Sequence, residues 1–459
     1  MKASRTYITS RLAAVFALLL VLASCGKDKD FIIDEGTGVK GSSSGDRKEF
    51  IEKRRVVLFY ESGFNDLTGY LDSDVNRELT QSTMPGKGRN EDVLLVYSKL
   101  MNGSSAAPVK SYLKRYYKDK SGALVIDTLM TLDEKTMACS PETMRTVLGF
   151  VKSAFPAKGY GLIFSSHGSG WLPDGYFFSP SKFEKAHAGE LLSAPAMNQP
   201  SPRALWPDVP ESDLRDDPYY GMTRSIGIEE APSDGCFERK EMSTAEFASG
   251  IPFHLDYILF DMCFSAGIEV FYALKDKADY IGGSAAEVLA AGMFDYTKIT
   301  DYLFKTPEAD LEGLFRAGFQ MYMDQSGVSQ SSTVMLARTS GLDALAATCR
   351  RLFEKYRTDI RHLNYRGVQP YYRYSTDRHY FFDLEDIFIR ANASAEDLEE
   401  LRAALDGCTV YKAATPVFMD SFTFRTYSGL SSYLPCAGTE LLNKYYMEES
   451  WNKATELLK

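Results

Sequence analysis

Short apolar runs rich in β-branched residues alternate with helical stretches through the first half of the chain, and this rhythm restricts the fold more than any other feature. The runs are RRVVLFY (54–60), DVLLVYS (92–98), GALVIDTL (122–129), YGLIFSS (160–166), LDYILFDM (255–262) and ADYIGGS (278–284). Between them stand segments such as SPETMRTVLGFVKSAF (140–155), in which Ser140 suits an N-cap, Pro141 the first helical position and Glu142 the first turn. Strands separated by crossover helices predict an α/β class with a doubly wound, mainly parallel sheet and helices on both faces. From residue 311 to 459 the texture turns helical, as in DLEGLFRAGFQMYMDQ and LDALAATCRRLFEKYRTDI, broken by Tyr-rich stretches. A mostly helical extension packed on a core of residues 51–310 is therefore expected.

The first 50 residues stand apart from that core. Lys2, Arg5 and Arg11 precede the run LAAVFALLLVL (12–22), which is too short to span a bilayer, and LASC then ends at Cys25. This is the pattern of an export signal over 1–25, and the cysteine at its end resembles a bacterial lipoprotein signal in which Cys25 is acylated. Residues 26–50 are polar and Gly/Ser-rich, the composition of a flexible tether. The expected location is the cell envelope, at the outer membrane, held there by lipid on Cys25. A net charge of −10 without basic clusters argues against a nucleic-acid partner, whose phosphates require positive surface. The six later cysteines (Cys139, Cys236, Cys263, Cys349, Cys408 and Cys436) include no C-x-x-C pair, so no metal site is expected, and in so long a chain they do not amount to a disulfide scaffold.

In doubly wound sheets the working residues sit just past the carboxyl ends of strands. His167, within IFSSHGSGWLP, occupies one such place, and Cys263, after LDYILF, occupies another. Although 96 positions apart, they meet if their strands are parallel neighbours. A thiolate is a nucleophile and an imidazole can hold its proton. With Cys263 opening a helix, the positive end of the helix dipole is expected to lower the thiol pKa. Gly168 and Cys263 offer backbone N–H groups for an oxyanion hole. Read singly, a packed histidine and a buried thiol are the competing account. His187, His254, His362 and His379 have no acidic or thiol partner at useful spacing, and Ser169 lacks the preceding glycine of a hydrolase elbow. Between the two motifs, residues 172–250 are rich in Pro and Gly and poor in periodicity, which marks a long functional or disordered loop.

YGLIFSSHGSGWLP followed by LDYILFDMCFSAGIEVFYAL resembles the clostripain family of cysteine peptidases, in its Bacteroides-type lipoprotein form. VVLFYESGFNDL (56–67), TRSIGIEE (223–230), YFFDLEDIF (380–388) and YSGLSSYLP (427–435) extend the likeness from about residue 54 to the C-terminus. The resemblance implies a caspase-like fold, a zymogen activated by self-cleavage within 172–250, and endopeptidase action on peptides and proteins after a basic P1 residue, Arg or Lys. It makes His167 the general base, Cys263 the nucleophile and Gly168 an oxyanion donor. Asp261 becomes the acid of the S1 pocket, with Ser284 and Glu287 on a loop that shapes it. Around the nucleophile the chain departs from the family, with Met262 before it and Phe264-Ser265 after it. No cofactor is expected, calcium being the one ion that the resemblance raises, and no D-x-D-x-D-G loop is present to hold it. The rival reading is a catalytically silent envelope lipoprotein of the same fold, a scaffold for proteins or glycans through its Tyr-rich half.

Overall fold

Strand β1 (Arg55–Gly63) divides its side chains between two cores: Val56, Leu58 and Tyr60 enter one, Val57 and Phe59 the other. A strand apolar on both faces belongs inside a sheet covered on both sides. The computed structural model, which describes residues 53–103, 107–177, 180–187, 226–233, 236–372 and 380–459, places it in a nine-stranded sheet. The other eight strands are β2 (Val93–Leu100), β3 (Ser111–Lys118), β4 (Leu124–Leu132), β5 (Gly159–Ser165), β8 (Leu255–Asp261), β9 (Ala278–Gly283), β10 (Thr333–Arg338) and β12 (Thr409–Ala414). Three further labels belong to smaller pairings: β6 (Ile226–Ser233) with β7 (Cys236–Met242), and β11 (Phe382–Asp383) with Ser431–Ser432.

The sheet order is β12-β10-β9-β8-β5-β1-β2-β3-β4. Its middle, from β9 to β2, is parallel. Both flanks are antiparallel, β3 and β4 on one side and β10 and β12 on the other, so the sheet is mixed rather than mainly parallel. This corrects the expectation in a second respect. Because β10 and β12 extend the same sheet, residues 311–459 are not a helical extension laid on a finished core, and the described residues form one compact unit.

Helices cover both faces. On the first lie α2 (Pro141–Ala154), burying Met144, Val147, Leu148 and Val151, and α6 (Leu342–Arg361); on the second lies α5 (Leu311–Met323), burying Leu314 and Phe315. The helix α1 (Thr68–Ser73) follows β1, α3 (Thr244–Gly250) follows β7, and α4 (Ile268–Ala273) follows β8. Ser140 caps α2 as expected, its hydroxyl accepting from the Thr143 N–H. Within 172–250, the described residues include the hairpin β6–β7 and helix α3, with its Ser243–Glu246 capping box, while residues 188–225 of the expected long loop lie outside the described residues. The export signal, the tether and Cys25 lie outside the described residues. Among those described, no helix is long and apolar enough to cross a membrane.

Candidate active site

Three adjacent strands, β1, β5 and β8, end at one edge. Their register sets Glu61 beside Ser165 and Ser165 beside Asp261, and in-register residues of a parallel sheet point to the same face. Just beyond, the chain delivers His167 after β5 and Cys263 after β8. The two line one small cleft together with Asp74, Asp261, Val288 and Gly292. Residues 96 positions apart in sequence are thus brought to one site.

The histidine loop is fixed from several sides. Gly227 donates its N–H to the His167 carbonyl at 3.1 Å, and the Ser166 hydroxyl donates to the Ser62 carbonyl at 2.6 Å while accepting the Ile228 N–H at 3.1 Å. The His167 ring is buried, with Nε2 2.5 Å from the Asp66 carboxylate, whereas Nδ1 has no hydrogen-bond partner among the described residues. Gly168 is where the two loops touch: a Cβ there would lie 2.2 Å from Met262 Cγ and 2.6 Å from the Cys263 carbonyl oxygen, closer than real contacts allow. Only glycine fits this approach.

Cys263 is held in a different way from that expected. The following helix begins at Ile268 with Gly267 as its N-cap, so the thiol stands outside the first turn, beyond the reach of the helix dipole. Burial instead pushes the thiol up to about 12, with Glu287 and Asp261 adding to the rise. A Val288 N–H donated to Sγ at 3.2 Å acts the other way. Residues 284–288 run beside the Cys263 loop, Phe264 N–H donating to Ala286 O at 2.9 Å and Ala266 N–H to Ser284 O at 2.8 Å. Phe264 itself adopts φ +52, a conformation costly for a side-chain-bearing residue, and its ring is stacked on Phe381 at 4.3 Å. The turn that presents Cys263 is held in place by that stack and by the neighbouring strand-like segment.

Asp261 does not cap the helix after it. Its carboxylate accepts the Met293 N–H and the Tyr296 hydroxyl, each at 2.8 Å, and burial raises it to about 6. Gly292, at φ +75, leaves the space in front of it open, since a Cβ there would lie 2.7 Å from the Asp261 carboxylate. Ser284 does not line the cleft: its hydroxyl is engaged by Thr333 Oγ1 at 2.6 Å and Ala286 O at 3.1 Å. Glu287 is buried close enough to Cys263 to act on its charge. Glu269, on α4, is a structural acid that accepts from Tyr433 N–H, Tyr446 OH and Ser432 OH.

Three site residues were not singled out from the sequence. Asp66 meets His167, Asp74 shares the cleft wall with Asp261, and Glu61 lies fully buried behind them. Glu61 and Asp66 lie in YESGFND at the carboxyl end of the first strand, and Asp74 follows eight residues on, after α1. Burial raises Asp74 to about 8, with Asp261 and Glu78 contributing, and holds Glu61 well above the usual carboxylate range. Among the described residues no group of three His, Cys, Asp or Glu side chains could hold a metal ion.

Comparison with known proteins points in one direction. The model of the clostripain family matches residues 212–454. An inactive zymogen C11 protease from Parabacteroides distasonis is 25% identical with a TM-score of 0.65, over 88% of this chain and 98% of that one. A secreted C11 cysteine protease from Bacteroides thetaiotaomicron, solved with an irreversible peptide inhibitor, shares the fold at 20% identity and a TM-score of 0.64, over 88% of this chain and 99% of that one. No curated protein matches.

Proposed function

This chain belongs to the clostripain family and is a cysteine peptidase of caspase-like fold, and from that premise we propose that it is an endopeptidase in which Cys263 and His167 form the catalytic dyad. The observation that carries the reading is their convergence at one cleft from adjacent strands. Asp66 orients the ring through Nε2, which leaves Nδ1 as the nitrogen that takes the thiol proton. The thiolate attacks the carbonyl of the scissile bond, the Gly168 and Cys263 N–H groups receive the developing oxyanion, the imidazolium returns its proton to the leaving amine, and water then resolves the acyl-enzyme. A basic P1 side chain enters toward Asp261, whose buried carboxylate gains a cationic partner.

The resting thiol is buried and bonded to Val288, an arrangement suited to a zymogen. Self-cleavage within 172–250 activates it, after one of Lys182, Lys185, Arg203, Arg215, Arg224, Arg239 or Lys240. Lipid on Cys25 anchors the enzyme to the cell envelope, at the outer membrane.

One experiment tests these points together: full-length protein, wild type and Cys263→Ala, is followed for self-cleavage by mass spectrometry, for acylation of Cys25, and for turnover of fluorogenic Arg and Lys peptides. Cleavage within 172–250 and thiol-dependent turnover confined to the wild type are expected. Silence of the wild type after limited proteolytic activation would remove the dyad reading, and an unacylated Cys25 would remove the anchor.

A further inference from the structure

We propose that Asp74 is a second specificity carboxylate, which together with Asp261 grips the two edges of a guanidinium and so makes the pocket prefer Arg to Lys. This rests on the reading of the cleft as the P1 site. Asp74 opens the helical turn Asp74–Glu78 that continues α1, and it lines the cleft together with Asp261, from an element other than β8. It is only 5% exposed, yet its carboxylate makes no hydrogen bond among the described residues. Glu61, at 0% exposure, has Ser165 beside it and no cation among the described residues. No described Lys, Arg or His is paired with Asp74, Asp261 or Glu61, in contrast to the buried acids Glu229 and Asp397, which have such partners. Acids left this way are costly to ionise until a cation arrives.

The three carboxyls do not converge as a metal site does. What suits them is an extended cation with donors on more than one edge. A guanidinium carries five N–H donors in a rigid plane, so one edge can bond Asp261 while another bonds Asp74. An ammonium is a compact, strongly hydrated charge that one carboxylate serves nearly as well as two. Gly292 keeps the Asp261 side of this space open, and Asp261 still has lone pairs free beyond those used by Met293 and Tyr296.

The test is activated Asp74→Asn enzyme on matched peptides ending in Arg or Lys at P1. Losing one charge-assisted contact should lower kcat/KM for Arg about tenfold to a hundredfold, mainly through KM, and contract the Arg-to-Lys ratio toward one. The same contrast is read without turnover in the Cys263→Ala protein, where agmatine should raise the melting temperature more than cadaverine and Asp74→Asn should erase the difference. If Asp74→Asn does not fold, Asp74→Glu keeps the charge but moves it, and must still change the ratio. Wild-type preference for Lys, or an Arg-to-Lys ratio unmoved in either variant, overturns the inference while leaving cleavage after basic residues intact. Absence of both basic-peptide cleavage and agmatine binding would instead overturn the P1 reading on which it rests.

Discussion

Two buried acid sites flank the carboxyl end of β1, and they solve the same electrostatic problem in opposite ways. Glu229, on β6, is ion-paired with Lys99 from β2, and its second oxygen accepts the Cys139 N–H at 3.2 Å. Burial still raises this carboxyl, but the lysine opposes the rise. Asp261, Asp74 and Glu61 are buried to a similar degree with no cation from the described chain. The first site is complete in itself and holds β6 against the sheet. The second is incomplete, and the missing element is a positive charge. A structural acid in this molecule is met either by a cation, as Glu229 is, or by several donors, as Glu269 is; under the proposed function Asp74 and Asp261 instead await a substrate cation.

The sharpest way to break the comparison is to take the cation from the complete site. Lys99→Met leaves Glu229 buried and unpaired, and should cost about 3–5 kcal/mol of stability by denaturant unfolding. A cost below about 1 kcal/mol would mean that Glu229 is already neutral and that the two sites do not differ.

A second prediction concerns pH. Asp261 at about 6 and Asp74 at about 8 must both ionise to hold a cation, against burial and against each other, with Glu78, Glu61 and Cys263 also nearby. Agmatine affinity for Cys263→Ala should therefore rise about tenfold or more between pH 6 and pH 8 and level off above it. Stability of the unliganded protein runs the other way. Carboxyls raised in the fold bind more protons folded than unfolded, so the stability they contribute is fully present below about pH 4 and is lost as pH rises from there to about 6 for Asp261 and about 8 for Asp74. A flat binding profile would show that the acids are already charged.

The smallest effect is expected at Glu61. Burial holds its carboxyl well above the usual carboxylate range, so the fold favours its uncharged form, and Glu61→Gln should change stability by no more than about 1 kcal/mol. A loss near 3 kcal/mol in the same unfolding assay would reveal a charged, paired Glu61.

The parallel strands were legible because β1, β2, β5 and β8 are largely apolar runs, and the places of His167 and Cys263 followed from the strand ends alone. Of the antiparallel flanks only β4 was read as a strand. β3 reads SYLKRYYK, where charges fall among the apolar residues of a strand near the sheet edge, and β6 and β7 lie in a stretch dominated by polar residues. The expected lowering of the Cys263 pKa failed because the sequence gives no sign that Gly267, four residues on, is where the helix starts. Asp74 and Glu61 escaped notice for a related reason. An acid after a strand looks like solvent-facing loop until register and packing show what it faces.

The nucleophile loop leans on residues from the far end of the chain. Ser431 donates its N–H to the Ala266 carbonyl at 3.1 Å, Gly267 bridges to Ser431, and the Tyr433 N–H bonds Glu269 at 2.9 Å. During synthesis, then, some 165 residues must still emerge from the ribosome after Cys263 before its turn can be braced, the difference between positions 263 and 431 being 168. A nascent or truncated chain that already contains both His167 and Cys263 lacks the strut that shapes the site. Order of manufacture thereby becomes a form of timing control, in which a destructive activity is withheld until the molecule is whole.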